Sequence, residues 1–511
     1  MRNRPTIPVI ATARTVCSRA KHVGRAFCSR RCVMRQLAAL LTKERFAIGL
    51  LLLAISLAAC LIPAQSDTWW QLRAGEEMWR SGRVMLHDEF THTVAGHRWP
   101  NHEWLAQVLF YGVYWLGGLP LLTLVCAAAI TAAWGFVVVL TPGPPLLRVA
   151  TVGIAAVASS PAWTLRPQAL TLGIFALTLW ILVRRRPLSM LPLVFLVWAN
   201  LHGAVALGGV VMLAAWMAAA VTDRESLAKL TVVGVLCLAA TAATPLGPSL
   251  WFEIPQSLER LHTYGVHEWR AAEFTLANLP FWLAASAVLV LAIVRRRSLQ
   301  SVQMLTLIAA TALLFVLAAR SSRNLPPFFV CAAPTITRLL RIGGEPQPRP
   351  EPEWRGRAHA AVLATAVAAA IVFVTFAWRM PLPRLRWTPL ADTAITAVAS
   401  CPGRLYNRFD EGGYLIWFMK DRKVFIDSRQ DPFPRDLVLA HIEVERSGDY
   451  RAMFDRYDIG CSLTQTGSPL AIRLRRDGWH ERTAARDWAV YRKPAVSHDL
   501  HTLATPDRLW R

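Results

Sequence analysis

The chain has 511 residues, of which 54% are hydrophobic and only 17% are charged, and its formal net charge is +23. About a quarter of the residues of a soluble globular domain are charged, so this shortage of charge excludes an ordinary soluble protein. Nucleic-acid binding is not predicted either. The arginines stand in short clusters between long apolar runs, which is typical of the cytoplasmic loops of membrane proteins.

Residues 1–45 are predicted to form a basic, disordered cytoplasmic tail. They contain eleven Lys or Arg and a single acid, Glu44. No small-residue cleavage site follows a short apolar core, so a removed signal peptide is not predicted. Met34 is an alternative start of the chain.

About eleven apolar segments with the length of a membrane-crossing helix follow the tail. They are 46–63, 119–140, 148–163, 169–183, 188–202, 203–221, 230–245, 276–294, 302–318, 325–341 and 359–378. The sides alternate without conflict when the charged clusters at 184–186, 223–229, 295–297 and 338–357 are cytoplasmic. The prediction is therefore an α-helical polytopic domain over 46–378, in the inner membrane of a bacterium, with the N-terminus in the cytoplasm.

Residues 64–103 are the first outer loop of this topology. Asp67 stands directly after the first span, and an amphipathic helix carrying Trp70 follows it, which Gly82 is suited to end. An alternative role for Asp67 is to cap that helix, at 69–79. Glu103 opens the segment 104–116, which is apolar but short and aromatic and is predicted to lie as a helix on the outer membrane surface.

Polar residues at the outer helix ends converge on one face of the membrane. They are Asp67, Asp88, His102, Glu103, Arg166, Gln168, Asn200, His202, His267, Glu268, Arg320 and Arg323. Each of them alone is also typical of a helix-end anchor. Together they indicate a polar cavity that opens outward beneath the loops 64–103 and 246–275.

Residues 380–511 are predicted to form a small extracytoplasmic α/β domain. A strand is expected at 423–427 and a helix at 437–445. Cys401 and Cys461 are able to pair if this domain lies in an oxidising compartment. The segment Asp427-Ser428-Arg429 with Asp431 has two interpretations: it is part of a site, or Asp427 and Arg429 form a structural ion pair at the strand end, and the structural pair is favoured.

The residue types in the first loop suit group transfer from a lipid phosphate. A carboxylate takes the proton from an attacking hydroxyl, and Arg or His supplies positive charge beside a leaving phosphate. A substrate with a polyprenyl tail meets the protein at the bilayer surface, where these residues lie. Aromatic side chains beside such a cavity are suited to stack on a sugar, although Trp is also common in the membrane interface.

The order of span, Asp67, helix, Ser-Gly-Arg at 81–83, Gly-His-Arg-Trp at 96–99 and Glu-Trp-Leu at 103–105 resembles the GT-C superfamily of glycosyltransferases. It is most similar to the protein mannosyltransferases and the lipid A aminoarabinose transferases. Two departures occur: Thr68 stands where the family usually has a further acid, and Asn101-His102-Glu103-Trp104 replaces an acidic Lys-Pro-Pro segment. The resemblance implies an inverting transfer from a polyprenyl-phosphate-sugar donor to an envelope acceptor on the outer face.

The resemblance implies catalytic roles for Asp67 and Glu103. The predicted donor-phosphate contacts are Arg166, Arg320 and Arg323, and the predicted sugar or acceptor contacts are Trp70, His102, Asn200, His202, His267 and Glu268. No cofactor and no metal ligands are predicted, and a requirement for a divalent metal is left open. The alternatives are a transporter or flippase for a lipid-linked or anionic solute and a non-catalytic scaffold of GT-C type.

Overall fold

The computed structural model describes residues 42–184, 186–263, 269–340, 352–380, 385–387, 389–485 and 487–494. Residues 1–41 of the predicted tail, with the alternative start at Met34, lie outside these ranges. The end of the tail predicted at 45 is wrong, because a helix already begins at Lys43. Contacts divide the chain into two compact units, Met1–Leu50 with Pro346–Ala370 and Leu51–Glu345 with Ile371–Arg511. In the first unit the ring of Phe46 stacks on that of His359, with the ring centroids 4.5 Å apart. The C-terminal domain and the candidate site described below lie in the second unit.

Helices dominate the described residues. The first thirteen are α1 (Lys43–Ala59), α2 (Ser66–Ser81), α3 (Trp104–Leu140), α4 (Pro145–Ser159), α5 (Pro167–Val183), α6 (Leu191–Leu201), α7 (Ala206–Thr222), α8 (Arg224–Thr241), α9 (Leu250–Thr263), α10 (Leu279–Val294), α11 (Val302–Arg320), α12 (Leu325–Leu340) and α13 (Glu353–Arg379). Three-residue 3₁₀ turns join several of them, including Gly203–Val205 before α7 and Ser322–Asn324 before α12. The loop predicted at 246–275 therefore contains a helix, α9.

Five helical segments of the described chain are long and apolar enough to cross a membrane. They are Trp104–Leu140, Pro145–Ala162, Gly203–Thr222, Val302–Arg320 and Trp354–Arg379, and shorter apolar helices lie at Pro167–Val183, Leu188–Leu201 and Leu279–Val294. Each of the eleven predicted spans overlaps a helix, but α8 begins well before the predicted start at 230. The chain is a multi-helical membrane protein, and the number of eleven spans stays a prediction.

Helix α3 contains the break that the sequence predicts between 104–116 and 119–140. Gly117 has a φ of −155° and a ψ of 19°, and Gly118 has a φ of 63° and a ψ of −162°, so neither is helical. Gly118 adopts a positive φ, which glycine does without a steric penalty. The segment 104–116 is thus a separate helical arm, and its location on the membrane surface stays a prediction.

Helix α2 begins at Ser66, with Gln65 at the N-cap position and Asp67 inside the first turn. The alternative that Asp67 caps a helix at 69–79 is therefore wrong. Gly82 ends α2 with a φ of 66°, as predicted, and its N–H donates to the carbonyl of Met78 at 3.0 Å. A Cβ on Gly75 would lie 2.1 Å from the carbonyl oxygen of Gln107, so α2 crosses α3 at a distance that glycine permits.

The C-terminal region is an α/β domain around a four-stranded sheet. Its elements are α14 (Asp392–Ala399), β1 (Arg404–Asn407), α15 (Phe409–Phe418), α16 (Arg435–Ser447), α17 (Arg451–Tyr457), β2 (Ile459–Gln465), α18 (Pro469–Arg476), β3 (His480–Ala485) and β4 (Trp488–Arg492). The strand order is β1-β2-β4-β3; β1 and β2 are parallel, and the other pairs are antiparallel. A disulfide joins Cys401 to Cys461, whose Cα atoms are 5.9 Å apart.

The predicted strand at 423–427 is wrong, whereas the predicted helix at 437–445 lies inside α16. Val424 forms an isolated bridge to Thr91 of the first loop. Its N–H donates to the carbonyl of Phe90, and its carbonyl accepts from the N–H of His92, both at 3.0 Å. The apolar composition that predicts a strand arises because Phe425 is fully buried in the domain core.

A buried ion triad ties the first loop to the C-terminal domain. Arg429 contacts both Asp427 and Asp88, and none of the three side chains is exposed. Its Nη2 donates to Oδ2 of Asp427 at 2.7 Å, and its guanidinium lies 4.7 Å from the ring centroid of Trp99. Burial alone would lower the pKa of Arg429, but the two carboxylates outweigh burial and raise it. The predicted structural pair of Asp427 and Arg429 is confirmed.

Candidate active site

The outer helix ends, the first loop and the C-terminal domain surround one cavity of about 870 Å³. Its polar part is lined by Gln65, Asp67, Trp70, Gln71, Trp99, Asn101, His102, Glu103, Arg166, Gln168, His202, Arg323, Ser428, Arg429, Gln430 and Asp431. Seven of the eleven predicted site residues belong to this set: Asp67, Trp70, His102, Glu103, Arg166, His202 and Arg323. The structure therefore brings together residues from distant parts of the sequence.

Asp67 accepts hydrogen bonds from three side chains of the cavity. Its Oδ2 pairs with Nη1 of Arg166, and its Oδ1 accepts hydrogen bonds from Oγ of Ser428 and, at 3.2 Å, from Nε1 of Trp70. The Asp67 side chain keeps 19% of its surface exposed, and the Arg166 side chain keeps 9%. The carboxylate is thus held on two sides while part of it faces the cavity.

The pairing of Asp67 with Arg166 depends on the neighbours of both residues. Thr68 is buried, and its hydroxyl donates to the carbonyl of Leu165 at 2.8 Å, which joins α2 to the segment before α5. Arg166 has an extended backbone at the N-cap of α5, and Pro167 is well suited to the first helical position. Thr68, the departure from the family pattern, therefore has a structural role: it fixes the approach of Arg166 to Asp67.

Ser428 comes from the C-terminal domain, where the sequence predicted it only as part of the less favoured site at 427–431. Its Oγ donates to Asp67 and accepts from Nε1 of Trp70 at 3.2 Å. The N–H of Gly413 in α15 donates to Oγ of Ser66 at 3.1 Å, and a Cβ on Gly413 would lie 2.2 Å from the carbonyl oxygen of Ser66. The Gly-Gly pair of α15, which is too short for a phosphate loop, thus lets the domain approach α2 closely.

Glu103 occupies the N-cap position of α3 and is buried. Its Oε1 lies 3.1 Å from Nε2 of His202, and its Oε2 accepts from Nε2 of Gln71. Burial alone would raise the pKa of Glu103, but the hydrogen bonds from His202 and Gln71, with His102 nearby, lower that pKa to about 2. Glu103 is therefore a carboxylate that is held in place by its neighbours.

A short chain of hydrogen bonds orients His202 toward Glu103. Nε1 of Trp198 donates to Oγ1 of Thr171 at 3.0 Å, and Oγ1 of Thr171 lies 2.9 Å from Nδ1 of His202. A neutral imidazole in this chain accepts from Thr171 at Nδ1 and donates to Glu103 from Nε2.

His102 lies beside Glu103 and is partly exposed to the cavity. Its Nδ1 is 3.1 Å from the carbonyl oxygen of Pro100, and its Nε2 is 4.0 Å from Oε1 of Glu103. A Cβ on Gly203 would lie 2.8 Å from Cδ2 of His102. Glycine at position 203 therefore gives this imidazole the space that it occupies.

The three predicted phosphate-binding arginines have different surroundings. Arg166 is paired with Asp67. Arg323 lines the cavity, with Nη2 3.5 Å from Nε2 of His202 and its guanidinium 4.9 Å from the ring centroid of Trp269. Arg320 is exposed at the end of α11 and is not among the described residues that line the cavity.

Asn200 does not line the cavity within the described residues. Its Oδ1 accepts from Nε1 of Trp104 at 2.9 Å, and its Nδ2 donates to the carbonyls of Leu196 and Ala243 at 2.9 and 3.0 Å. These bonds use its amide to join three helical segments. His267 and Glu268 lie outside the described residues.

The deeper part of the cavity is apolar. It is lined by Ile130, Ala158, Leu172, Phe175, Leu207, Val210 and Leu317, which come from α3, α4, α5, α7 and α11. A polar end that includes Asp67, Glu103, Arg166 and Arg323 thus continues into an aliphatic and aromatic end. Such a cavity suits an amphipathic ligand with a charged head and a hydrocarbon tail.

Asp67 and Glu103 already have partners at the oxygens where a cation would bind. Among the described residues no group of three or more His, Cys, Asp or Glu side chains is arranged to hold a metal ion. A cation at Asp67 would have to displace the guanidinium of Arg166, and one at Glu103 would have to displace the donors His202 and Gln71. We therefore derive no step through a metal.

No protein-family model and no curated protein matches the sequence. Among solved structures, the chain is similar to the oligosaccharyltransferase AglB of Archaeoglobus fulgidus, a GT-C superfamily glycosyltransferase. The TM-score is 0.51 at 11% identity for AglB in complex with an inhibitory peptide and a dolichol-phosphate. For the Archaeoglobus fulgidus oligosaccharyltransferase it is 0.52 at 12% identity in the apo form, and 0.53 at 12% identity in the form tethered by a disulfide to an acceptor peptide with the NVT sequon. Each match covers 82% of this chain and 69% of that chain. The predicted GT-C resemblance is confirmed at the level of the fold.

Proposed function

Starting from this GT-C fold, we propose that the chain is a membrane glycosyltransferase that transfers a sugar from a polyprenyl-phosphate donor to an acceptor hydroxyl on the outer face of the inner membrane. The observation that carries the proposal is the pairing of Asp67 with Arg166 at the polar end of a cavity whose other end is apolar. A lipid phosphate sugar has the matching order of groups: sugar, phosphate, hydrocarbon.

Asp67 is the general base of the proposed reaction. As the acceptor oxygen attacks C1 of the sugar, its proton passes to the carboxylate, and the bond from C1 to the phosphate oxygen breaks on the opposite side. A single displacement of this kind inverts the configuration at C1. General-base assistance contributes about 10²–10⁴ in rate, and the partly exposed Asp67 carboxylate is accessible for it.

Arg166 and Arg323 are the proposed contacts of the donor phosphate. The leaving phosphate gains negative charge as the bond to C1 breaks, and a guanidinium offers it two parallel N–H donors. Both arginines line the cavity. The exposed Arg320, outside the described lining, is better suited to a lipid headgroup at the membrane surface.

Glu103 is proposed to position the site instead of transferring the proton. Its two oxygens already accept from His202 and Gln71. A carboxylate with a pKa near 2 is also a weak base. It holds His102 and His202 beside the cavity, where the imidazoles and Trp70 contact the sugar or the acceptor.

The outer location is supported by the charge pattern of the loops and by the disulfide. Disulfides persist mainly in oxidising compartments such as the bacterial periplasm, and Cys401 and Cys461 are joined in the C-terminal domain. Reporter fusions after Arg186 and after Arg511 should therefore report the cytoplasmic and the outer side, respectively. Both reporters on one side would contradict this topology.

A screen of purified protein with radiolabelled undecaprenyl-phosphate sugars tests the activity. We expect release of undecaprenyl phosphate from one donor when an envelope extract is supplied, and no release by Asp67→Asn. Movement of the intact donor across proteoliposomes without cleavage would contradict the proposal and favour the flippase alternative. Donor binding with neither cleavage nor movement would favour the scaffold.

A further inference from the structure

The hydroxyl of Ser428 occupies the place on Asp67 that an acceptor hydroxyl would need. Its proton is donated to Oδ1 of Asp67, while Arg166 holds the other carboxylate oxygen. Ser428 is partly exposed and lines the cavity. A nucleophile on a carboxylate base that a third group orients is the general arrangement of an activated hydroxyl.

The segment around Ser428 is held rigidly. Asp427 and Arg429 on either side of it belong to the buried triad, and the N–H of Arg429 donates to Oδ1 of Asp427 at 2.9 Å. Gln430, which also lines the cavity, has a φ of 66°. Non-glycine residues with a positive φ carry local strain, and such strain is concentrated at functional sites. The turn 427–430 therefore presents one hydroxyl to the cavity in a fixed position.

We propose that Ser428 is an internal acceptor: without an external acceptor, the chain transfers the donor sugar onto its own Ser428. This inference rests on the proposed glycosyltransferase function. Oγ of Ser428 forms a bond to C1 of the sugar, its proton goes to Asp67, and polyprenyl phosphate leaves with the electron pair of the broken C1–O bond. The product is an O-linked sugar on Ser428, and no oxidant or further reactant is needed.

Two consequences separate this role from a merely structural contact. An external acceptor has to replace the Ser428 hydroxyl on Oδ1 of Asp67, so acceptor and Ser428 compete for the same base. A sugar on Ser428 also remains in the cavity, so the reaction happens once per chain and ends the activity of that chain.

The test uses the purified full-length protein and a panel of undecaprenyl-phosphate sugars labelled in the sugar, with no added acceptor. We expect label to enter the protein and to map to the peptide that contains Ser428. Ser428→Ala should lose the label, and Ser428→Thr, which keeps a hydroxyl, should retain part of it. Ser447→Ala is the matched control, since Ser447 is an exposed serine of the same domain.

Addition of the envelope extract should lower labelling of Ser428, and Ser428→Ala should lower the apparent KM for the external acceptor. Donor cleavage with the extract but no label on the protein would overturn the internal acceptor and leave the proposed function standing. Label on another residue, or label that the extract does not reduce, would also overturn it. No cleavage of any donor under either condition would overturn the proposed function, and the internal acceptor with it.

Discussion

Asp67 and Glu103, two of the acids that line the cavity, are held by different kinds of neighbours. Asp67 is bound by a cation and a hydroxyl, Arg166 and Ser428, which come from two separate regions of the chain. Glu103 is bound by an imidazole and an amide, His202 and Gln71, and keeps 12% of its side chain exposed against 19% for Asp67. A hydroxyl is a group that a substrate can replace, whereas the donors on Glu103 are fixed by the helices that carry them.

This contrast suggests different roles for the carboxylates of Asp67 and Glu103. In the proposed function, Asp67, which meets an exchangeable hydroxyl, takes up the proton, and Glu103, which completes a buried hydrogen-bond network, orients its neighbours. Five substitutions test this assignment.

Asp67→Asn should give the largest effect, a loss of about 10²–10⁴ in the rate of transfer. Asn keeps the shape and accepts at one oxygen but does not take up a proton. Donor release by the purified variant, with its thermal unfolding as the control for folding, measures the effect. Transfer at the rate of the natural chain would contradict the role of Asp67 as base.

Arg429→Met should disrupt the turn 427–430, which presents Ser428 to Asp67, and leave the hydrogen bonds of Glu103 to His202 and Gln71 in place. It leaves Asp88 and Asp427 buried without their cation, and breaking such a pair costs about 3–5 kcal/mol. Thermal unfolding measures this loss. Arg446→Met is the matched control, because its pair with Glu443 is exposed to solvent and contributes little to stability. Equal effects of the two substitutions would contradict a supporting role of the triad.

Arg323→Ala should weaken donor binding by about tenfold, which corresponds to ~1.4 kcal/mol. The variant loses one guanidinium that lines the cavity. Arg320→Ala, on the neighbouring exposed helix end, should change binding much less. Titration with a labelled polyprenyl phosphate compares the two, and a larger loss for Arg320→Ala would reverse the assignment.

Glu103→Gln should lower the rate of transfer by less than about tenfold, equivalent to ~1.4 kcal/mol of the barrier. Gln has the same size and still accepts at one oxygen, so the orientation of His202 is partly retained. The rate and the KM for the acceptor are measured beside those of Asp67→Asn. Losses of equal size in the two variants would remove the distinction between the acids.

Glu411→Gln should make the stability of the C-terminal α/β domain less dependent on pH. Burial raises the pKa of Glu411 from its ordinary 4.5 to about 8. The folded chain therefore holds a proton that the unfolded chain has lost, and stability falls as pH rises between these values. The Tm of the variant relative to the natural chain should rise by about 5 °C from pH 5 to pH 8. The exposed neighbour substitution Asp410→Asn should show no such trend.

Local pattern was sufficient to predict several parts of this structure. The apolar segments predicted helices where helices lie, Gly82 ends α2, and Gly117 and Gly118 interrupt α3 between the predicted segments. When the arginine clusters are placed on the cytoplasmic side, the sequence also predicts that Asp67, Arg166 and His202 lie together on the outer side. These signals are local or follow from a rule that applies along the whole chain.

The remaining features depend on contacts that no local pattern encodes. The segment at 423–427 has the composition of a strand, yet Val424 pairs with Thr91 of the first loop, more than three hundred positions earlier in the chain. Arg320 and Arg323 look equivalent in sequence, but the 3₁₀ turn Ser322–Asn324 directs only Arg323 toward the described cavity. Asn200 lies at a helix end where the sequence predicts a sugar or acceptor contact. Its amide is instead hydrogen-bonded to Trp104 and to a backbone carbonyl of its own helix.

The contact between Asp67 and Ser428 also has a consequence for biogenesis. The two residues are 361 positions apart, and ribosomes add about 5–20 residues per second. Roughly 20–70 s therefore pass between the synthesis of Asp67 and that of Ser428. By the end of this interval the nascent chain carries Asp67, Arg166 and the helices around them, but not yet the segment that contributes Ser428. The pair of Asp67 and Arg166 therefore exists in the nascent chain before the hydroxyl that covers it.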